Sequence, residues 1–499
     1  MLNDFFKQFK SGTDIRGVAS EGVKGQDVNL TDDVIASMAD GFVLWLSDKV
    51  NKAPNKLTIS VGRDSRISGP RIMKITTNRF KKCGANVLCC NLASTPSMFM
   101  TTVDLKCDGA LQITASHHPF NRNGLKFFTR EGGLEGSDIE QILLYAQNNE
   151  HPEKSEGGKI TVVDYMSDYA KGLCEKIKKE VNADDYEHPL KGFKIVVDAG
   201  NGAGGFYADK VLSVLGADTT GSRYLDPDGM FPNHVPNPEA PEAMASSCEA
   251  VKESGADLGV IFDTDVDRGG AVDCKGNEIN RNRLVAVASA IALEGNDGGT
   301  IVTDSITSSG LKEFIENKLG GKHYRYRRGY KNVIDKAIEL NAQGINCPLA
   351  IETSGHAAMR ENYFLDDGAY LCTKIIIKAA QMRTQGKELD ELTAELKEPL
   401  ESCEIRFKIT EKDFKTCGEK IIADLTKYAE TNGWNIADDN REGIRVSFDK
   451  DNGDGWFLLR LSVHDPIMPL NIESDSKGGV EVIRNKLLEF LKTASGLEI

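Results

Sequence analysis

An apolar run, Leu258-Gly259-Val260-Ile261-Phe262, ends in three aspartates at alternate positions, Asp263, Asp265 and Asp267, with Arg268 next. Three carboxylates at one strand end repel one another unless a cation offsets their charge. Hard oxygen ligands of this kind suit Mg²⁺. An EF-hand is disfavoured, because the sixth loop position is Arg268 and the twelfth is Cys274. The plain alternative is a solvated acidic turn, which the apolar strand argues against. A sharper one is an aspartyl-nucleophile phosphatase of the haloacid-dehalogenase type, with Asp263 as nucleophile and Asp265 as acid/base. Further on, ITASHHPFNRNGLKFF (113–128) carries Ser116 after an apolar strand, then His117 and His118, then Lys126 on the next strand. Ser116 needs a base or a phosphorylated resting state to act as nucleophile, and the surroundings are not a hydrolase elbow.

ETSGH (352–356) sets Glu352, Ser354 and His356 at one strand end, a set suited to sugar hydroxyls; the plain reading makes Ser354 a helix cap. Arginines and lysines gather beside Gly/Ser loops: Arg16 in SGTDIRG, Arg63 and Arg66 in VGRDSR, Arg325, Arg327, Arg328 and Lys331 in RYRRGYK, and Arg460 in LLRLSVHDP. Such clusters are the usual apparatus for phosphate. GNGAGG (200–205) fits a dinucleotide fingerprint through Gly200, Gly202 and Gly205, with Asp226 at ribose distance; a tight turn into a closely packed helix accounts for the same glycines.

The elements that must position these residues repeat one pattern: apolar strand, Gly/Ser/Asp-rich loop, helix. It recurs at 56–66, 109–119, 193–205, 258–270, 298–310 and 348–356. Near-continuous apolar strands predict parallel sheets covered on both faces, with ligands at loops beyond the strands' carboxyl ends. A polar linker is expected at 148–159 and a charged helix at 385–400. Residues 444–463 predict a hairpin turning at DNGDG, and 480–494 an amphipathic helix.

The chain has 499 residues, enough for roughly three or four domains. A net charge of −14 argues against nucleic acid and anionic membrane as partners. No apolar stretch approaches about 18 residues. The N-terminus has no signal-like run, and the 11 cysteines carry no CxxC, the pattern of reduced thiols in a cytoplasmic protein.

Taken in order and spacing, SGTDIRG, VGRDSR, TASHHP, DxDxDR, ExSGH and the C-terminal LRLSVHDP resemble the α-D-phosphohexomutase superfamily, the phosphoglucomutase/phosphomannomutase group. The resemblance covers nearly the whole chain. It implies three similar α/β/α domains with mixed, largely parallel sheets and a C-terminal α+β domain around a central cleft, at 1–160, 161–278, 279–396 and 397–499. It implies interconversion of hexose 1-phosphate and hexose 6-phosphate through a phosphoserine and a hexose 1,6-bisphosphate. Ser116 would carry the phosphate and, with Asp263, Asp265 and Asp267, hold Mg²⁺. Lys126, Arg16, His117 and Arg268 would serve the transfer. Lys331, Glu352, Ser354, His356, Arg460, Ser462 and His464 would bind the phosphosugar. A monomer or homodimer is expected. The chain departs from the family at Thr264 and Val266, where glycines are usual, and at Val463 and His464 in the phosphate loop. A phosphosugar-binding protein without turnover is the third reading, motivated by that altered loop.

Overall fold

The computed structural model describes residues 1–462 and 465–499. The chain folds into two compact units. One holds Met1–Asn280, Ser354–Ala357 and Leu365–Leu389; the other holds Arg281–Thr353, Ala358–Phe364 and Asp390–Ile499.

The first unit is built on two mixed sheets. In the larger, strand Thr58–Arg63 runs parallel to Asn86–Leu92 on one side and to Gly109–Ile113 on the other. Gly109–Ile113 then pairs antiparallel with Arg122–Thr129, and that with Asp14–Val18. Strand Lys159–Val162 closes the far edge against Asn86–Leu92, so this sheet runs past residue 160. Helix Asp32–Val50 starts at the Thr31 cap and packs on Gly136–Gln147. The contact is tight because Gly41 has no side chain: a Cβ there would lie 2.5 Å from the Ile142 carbonyl. Phe42, Phe80 and Phe127 fill the core beneath.

In the smaller sheet, Leu258–Phe262 is parallel to Ile195–Asp198 and antiparallel to Gly269–Asp273. The strand–loop–helix expectation fails at 258–270, where the aspartate loop turns directly into strand Gly269–Asp273. It fails likewise after Gly109–Ile113, which feeds strand Arg122–Thr129. In both places the loop is the tip of a hairpin-like reversal, held from two strands. Helix Gly368–Arg383, buried along most of its length, packs on helix Tyr165–Val181.

In the second unit, Thr300–Thr303 runs parallel to Lys322–Arg325 and Leu349–Ile351. A separate six-stranded antiparallel sheet contains Glu401–Ile409, Ile444–Phe448, Gly455–Leu459 and Ile467–Ser474. The expected hairpin and the helix Gly479–Leu491 are both present. The helix expected at 385–400 is not: only one tight turn, Leu389–Thr393, forms. Gly386 in the left-handed conformation (φ 71°) breaks the chain before it, and Pro399 offers no N–H after it.

Candidate active site

In the first unit the aspartate loop is enclosed. Asp263, Asp265 and Asp267 are each at most 1% exposed, which removes the solvated-turn reading. The loop is pinned from three directions. The Ala203 amide donates to the Thr264 carbonyl (2.8 Å), the Thr95 amide to the Asp265 carbonyl (2.8 Å), and the Gly368 amide to the Val266 carbonyl (3.1 Å). Two glycines make these approaches possible. A Cβ on Gly202 would lie 2.6 Å from the Thr264 carbonyl oxygen, and one on Gly368 would lie 2.3 Å from the Arg268 carbonyl carbon. The GNGAGG glycines are thus explained by packing, as the tight-turn reading expects. Val266 sits in the left-handed region (φ 68°), a strained conformation for a β-branched residue, with its side chain fully buried.

The three carboxylates place ligand atoms within 4.8 Å of one another. Oδ1 of Asp265 and Oδ1 of Asp267 are buried with no hydrogen-bond partner. Burial and the neighbouring Asp265 and Asp267 push the Asp263 carboxyl well above its ordinary range. Asp265 is raised to about 6 by burial and Asp267. Burial acts in the same sense on Asp267, but Lys126, His356 and Arg268 outweigh it and hold that carboxyl ionised. Orphaned buried oxygens converging from a repelling set are what a divalent cation satisfies, so the donor set fits one.

The serine loop meets this cluster. Ser116 Oγ donates to Asp263 Oδ2 at 3.3 Å and lies 3.2 Å from His117 Nδ1. Lys126 Nζ, from the adjacent strand, donates to Asp267 Oδ2 at 2.9 Å. Ser116 is 4% exposed and, like Val266, left-handed (φ 50°). Arg66 holds it there. Its Nε donates to Asp64 (3.2 Å), Nη1 to the carbonyls of Pro119 (2.7 Å) and Arg122 (3.0 Å), and Nη2 to those of His118 (2.6 Å) and Ser116. All five N–H groups are thereby used, and the side chain is wholly buried. Arg66, grouped by sequence with phosphate-binding residues, is instead the internal tether of the serine loop. Arg16 pairs with Asp14 at 3.1 Å, and its buried Nε has no partner.

His117 and His118 stack at 5.3 Å. Burial and Arg268 depress His117 to about 2; burial and Arg16 depress His118 to about 3. Arg268 donates its amide to Asp263 Oδ1 (3.2 Å) and its Nε to His356 Nε2 (2.9 Å), and Nη1 reaches Asn237 Oδ1 and Glu239 Oε2, each at 3.5 Å. His356, expected to read sugar hydroxyls, thus spends one ring nitrogen on Arg268 and the other on Asp366. Ser354 is buried in the same unit.

The remaining expected residues lie in the second unit. Asp304 and Glu352 end the adjacent parallel strands Thr300–Thr303 and Leu349–Ile351. Glu352 Oε1 accepts from the Gly329 amide at 2.5 Å. Asp304 accepts from the Thr353 amide (3.2 Å) and hydroxyl (2.8 Å), and burial beside Glu352 raises it to about 7. Sequence reading missed Asp304; its place directly after an apolar strand was the available signal. Lys331 pairs with Asp335 one helical turn on (2.8 Å). Arg460 keeps a buried Nε without a partner. Ser462 Oγ accepts from the Asp465 amide at 3.3 Å. His464 lies outside the described residues.

A buried serine meeting an acid cluster fit for a cation, with Lys126 and Arg268 beside it, is an arrangement suited to phosphoryl transfer. Three successive family models match the chain: phosphoglucomutase/phosphomannomutase alpha/beta/alpha domain I at residues 7–153, domain II at 168–276 and domain III at 280–400. Phosphomannomutase/phosphoglucomutase of Pseudomonas aeruginosa is 30% identical over 435 residues, covering 86% of this chain and 87% of the relative. Phosphoglucomutase of Neisseria meningitidis is 28% identical over 499 residues, covering 100% and 98%. The crystal structure of a phosphoglucomutase/phosphomannomutase family protein from Burkholderia thailandensis superposes with a TM-score of 0.79 at 24% identity, over 99% of this chain and 98% of that one. The chain belongs to the phosphoglucomutase/phosphomannomutase family of the α-D-phosphohexomutase superfamily. It is a mutase, an isomerase of hexose phosphates.

Proposed function

We propose that the chain interconverts the 1- and 6-phosphates of both glucose and mannose through a phosphorylated Ser116. The observation that carries this is the meeting of Ser116 Oγ with Asp263 at 3.3 Å inside the acid cluster, a contact that an aspartyl phosphatase has no use for. Phospho-Ser116 gives its phosphoryl group to the free hydroxyl of the hexose phosphate. The Oγ–P bond breaks as the new O–P bond forms, and the hydroxyl proton leaves to a base. The hexose 1,6-bisphosphate reorients, and Ser116 takes back the other phosphoryl group.

Asp263, Asp265 and Asp267, with the Ser116 oxygen, would hold Mg²⁺, which when bound neutralises phosphoryl oxygens. Arg16, Arg268 and Lys126 supply positive charge about the transferring group, and positioning with charge stabilisation does most of the work. Lys126, ion-paired with Asp267, holds its proton and can give one to the leaving oxygen as a general acid. His117, depressed to about 2, keeps little basicity near neutral pH. Lys331, Glu352 and Ser354 bind the hexose, and Arg460 and Ser462 the phosphate that is not reacting. His356 serves the site through Arg268.

The chain would divide into four domains as the sequence suggests, with the first break moved beyond Val162, where the edge strand of the first sheet ends. No helix among the described residues is long and apolar enough to cross a membrane, and we place the enzyme in the cytoplasm as a monomer or homodimer. Phosphosite mapping after incubation with Mg²⁺ and a hexose 1,6-bisphosphate, with hydroxylamine treatment in parallel, tests the mechanism. A hydroxylamine-stable phosphate on Ser116 is expected. A labile acyl phosphate on Asp263 overturns it.

A further inference from the structure

Asp366 ends the short strand Leu365–Asp366, ahead of helix Gly368–Arg383. Its Oδ2 lies 2.6 Å from His356 Nδ1, while its Oδ1 is buried with no partner. Across the ring, His356 Nε2 lies 2.9 Å from Arg268 Nε. Asp267 Oδ1, also unpartnered, lies 3.8 Å from His356 Nδ1. Asp267, His356 and Asp366 could therefore be read as a second cation site.

The donors decide against that reading. A guanidinium has no lone pair to offer, so the contact at Nε2 requires Arg268 to donate and the imidazole to accept. The ring must then carry its proton on Nδ1, facing Asp366. A cation on Nδ1 would displace that proton to Nε2 and set two N–H groups against each other. A proton, not a metal ion, belongs in this cluster.

We propose that Asp366 is a positioning residue of the mutase site. It fixes His356 as the Nδ1–H tautomer, so that Nε2 accepts from Arg268 and fixes the plane of that guanidinium. This rests on the mutase reading for its purpose, since a fixed Arg268 matters only where a phosphoryl group must be met in one orientation. The logic is that of carboxylate–histidine pairs elsewhere, where the outer carboxylate sets which nitrogen is free to serve the site. The last link here is an arginine. Backbone contacts support the same geometry: residues 268 and 356 form a β-bridge, and the Gly269 amide donates to the Gly355 carbonyl at 3.1 Å.

The test is ¹⁵N NMR of ring-labelled protein, with His356 assigned among the 8 histidines by comparison with His356→Gln. In the unaltered protein Nδ1 should resonate as a protonated nitrogen and Nε2 as a lone-pair nitrogen. In Asp366→Ala both tautomers should be populated, with kcat reduced about 10- to 100-fold and KM little changed. Asp366→Asn, whose carbonyl oxygen can still accept from Nδ1–H, should keep the tautomer and recover part of the rate. A protonated Nε2 in the unaltered protein overturns the proposal without any variant. So does an unchanged tautomer, or an unchanged kcat, in Asp366→Ala. Absence of turnover in the unaltered protein refutes the mutase reading instead, and the ring spectrum still decides the tautomer.

Discussion

Replacing Arg66 by lysine keeps the charge and removes the fork. Arg66 uses five N–H groups on four backbone carbonyls of the serine loop and on Asp64. An ammonium has three donors, so at least two of these acceptors lose their partner. A buried polar group left unsatisfied costs about 1–3 kcal/mol, which puts the loss at about 2–6 kcal/mol. Ser116 adds to this, because its left-handed backbone costs about 1–2 kcal/mol and its own carbonyl is one of the four. Once the loop relaxes, the serine leaves that conformation, and each 1.4 kcal/mol so lost is about tenfold in population. A chain with several domains does not unfold in one step, so the gauge must be local. Amide hydrogen exchange over residues 114–124 should speed up by at least about tenfold. Phosphoryl transfer from the bisphosphate to Ser116 should slow by a similar factor. Unchanged exchange together with an unchanged transfer rate would refute the reasoning.

Ser116→Ala should abolish turnover while leaving the thermal midpoint within a degree or two of the parent; residual mutase activity above background counts against a serine carrier. Val266→Gly releases left-handed strain worth about 1–2 kcal/mol but gives up a buried valine worth about 1.5–3 kcal/mol and loosens the unfolded chain. The net expectation is slightly faster amide exchange across the aspartate loop, and clearly slower exchange would show that strain dominates. Chelating divalent cations should speed amide exchange over residues 262–268, and Mg²⁺ at about 100 times its Kd should restore about 2.7 kcal/mol of that protection; Asp265→Asn should erase that dependence. Burial would raise Asp439, but Arg325 and Lys312 prevail and hold it at about 2. Its folded pKa lies below the unfolded value of about 3.9, so its contribution is full above pH 4 and fades as pH falls through 2. The stability gap between parent and Asp439→Asn should shrink over that window, and a gap that widens on acidification contradicts it.

The strands and the acid loop were legible because each is local: an apolar run followed by unusual polar residues says both strand and site. The same habit misled at 258–270, where the pattern carries no sign that the loop reverses into strand Gly269–Asp273 instead of opening a helix. Arg66 was visible as a loop arginine, but its role depends on a carbonyl cage formed by residues about 50 positions away. Asp366 and Asp304 were invisible for a related reason. An aspartate after a strand is commonplace, and only the fold brings one to His356 and the other to Thr353. The charged stretch at 385–400 has helical spacing throughout, yet left-handed Gly386 and Pro399 bracket it and it keeps a single turn.

The route of the chain bears on how the enzyme is made. The first unit is left at Asn280 and completed only by residues 354–357 and 365–389. Helix Gly368–Arg383 is tied into it through Tyr169 to Asp367 (2.7 Å) and Lys374 to Glu180 (2.7 Å). A nascent polypeptide that has emerged as far as Asn280 therefore owns Ser116 and all three aspartates but not His356, Asp366 or the helix that roofs the aspartate loop. Until the ribosome has added about a hundred more residues, the apolar flank of helix Tyr165–Val181 stays bare, a natural landing place for a chaperone. For the same reason, a gene cut at the apparent domain border after Asn280 should yield a fragment that clumps rather than a smaller working protein.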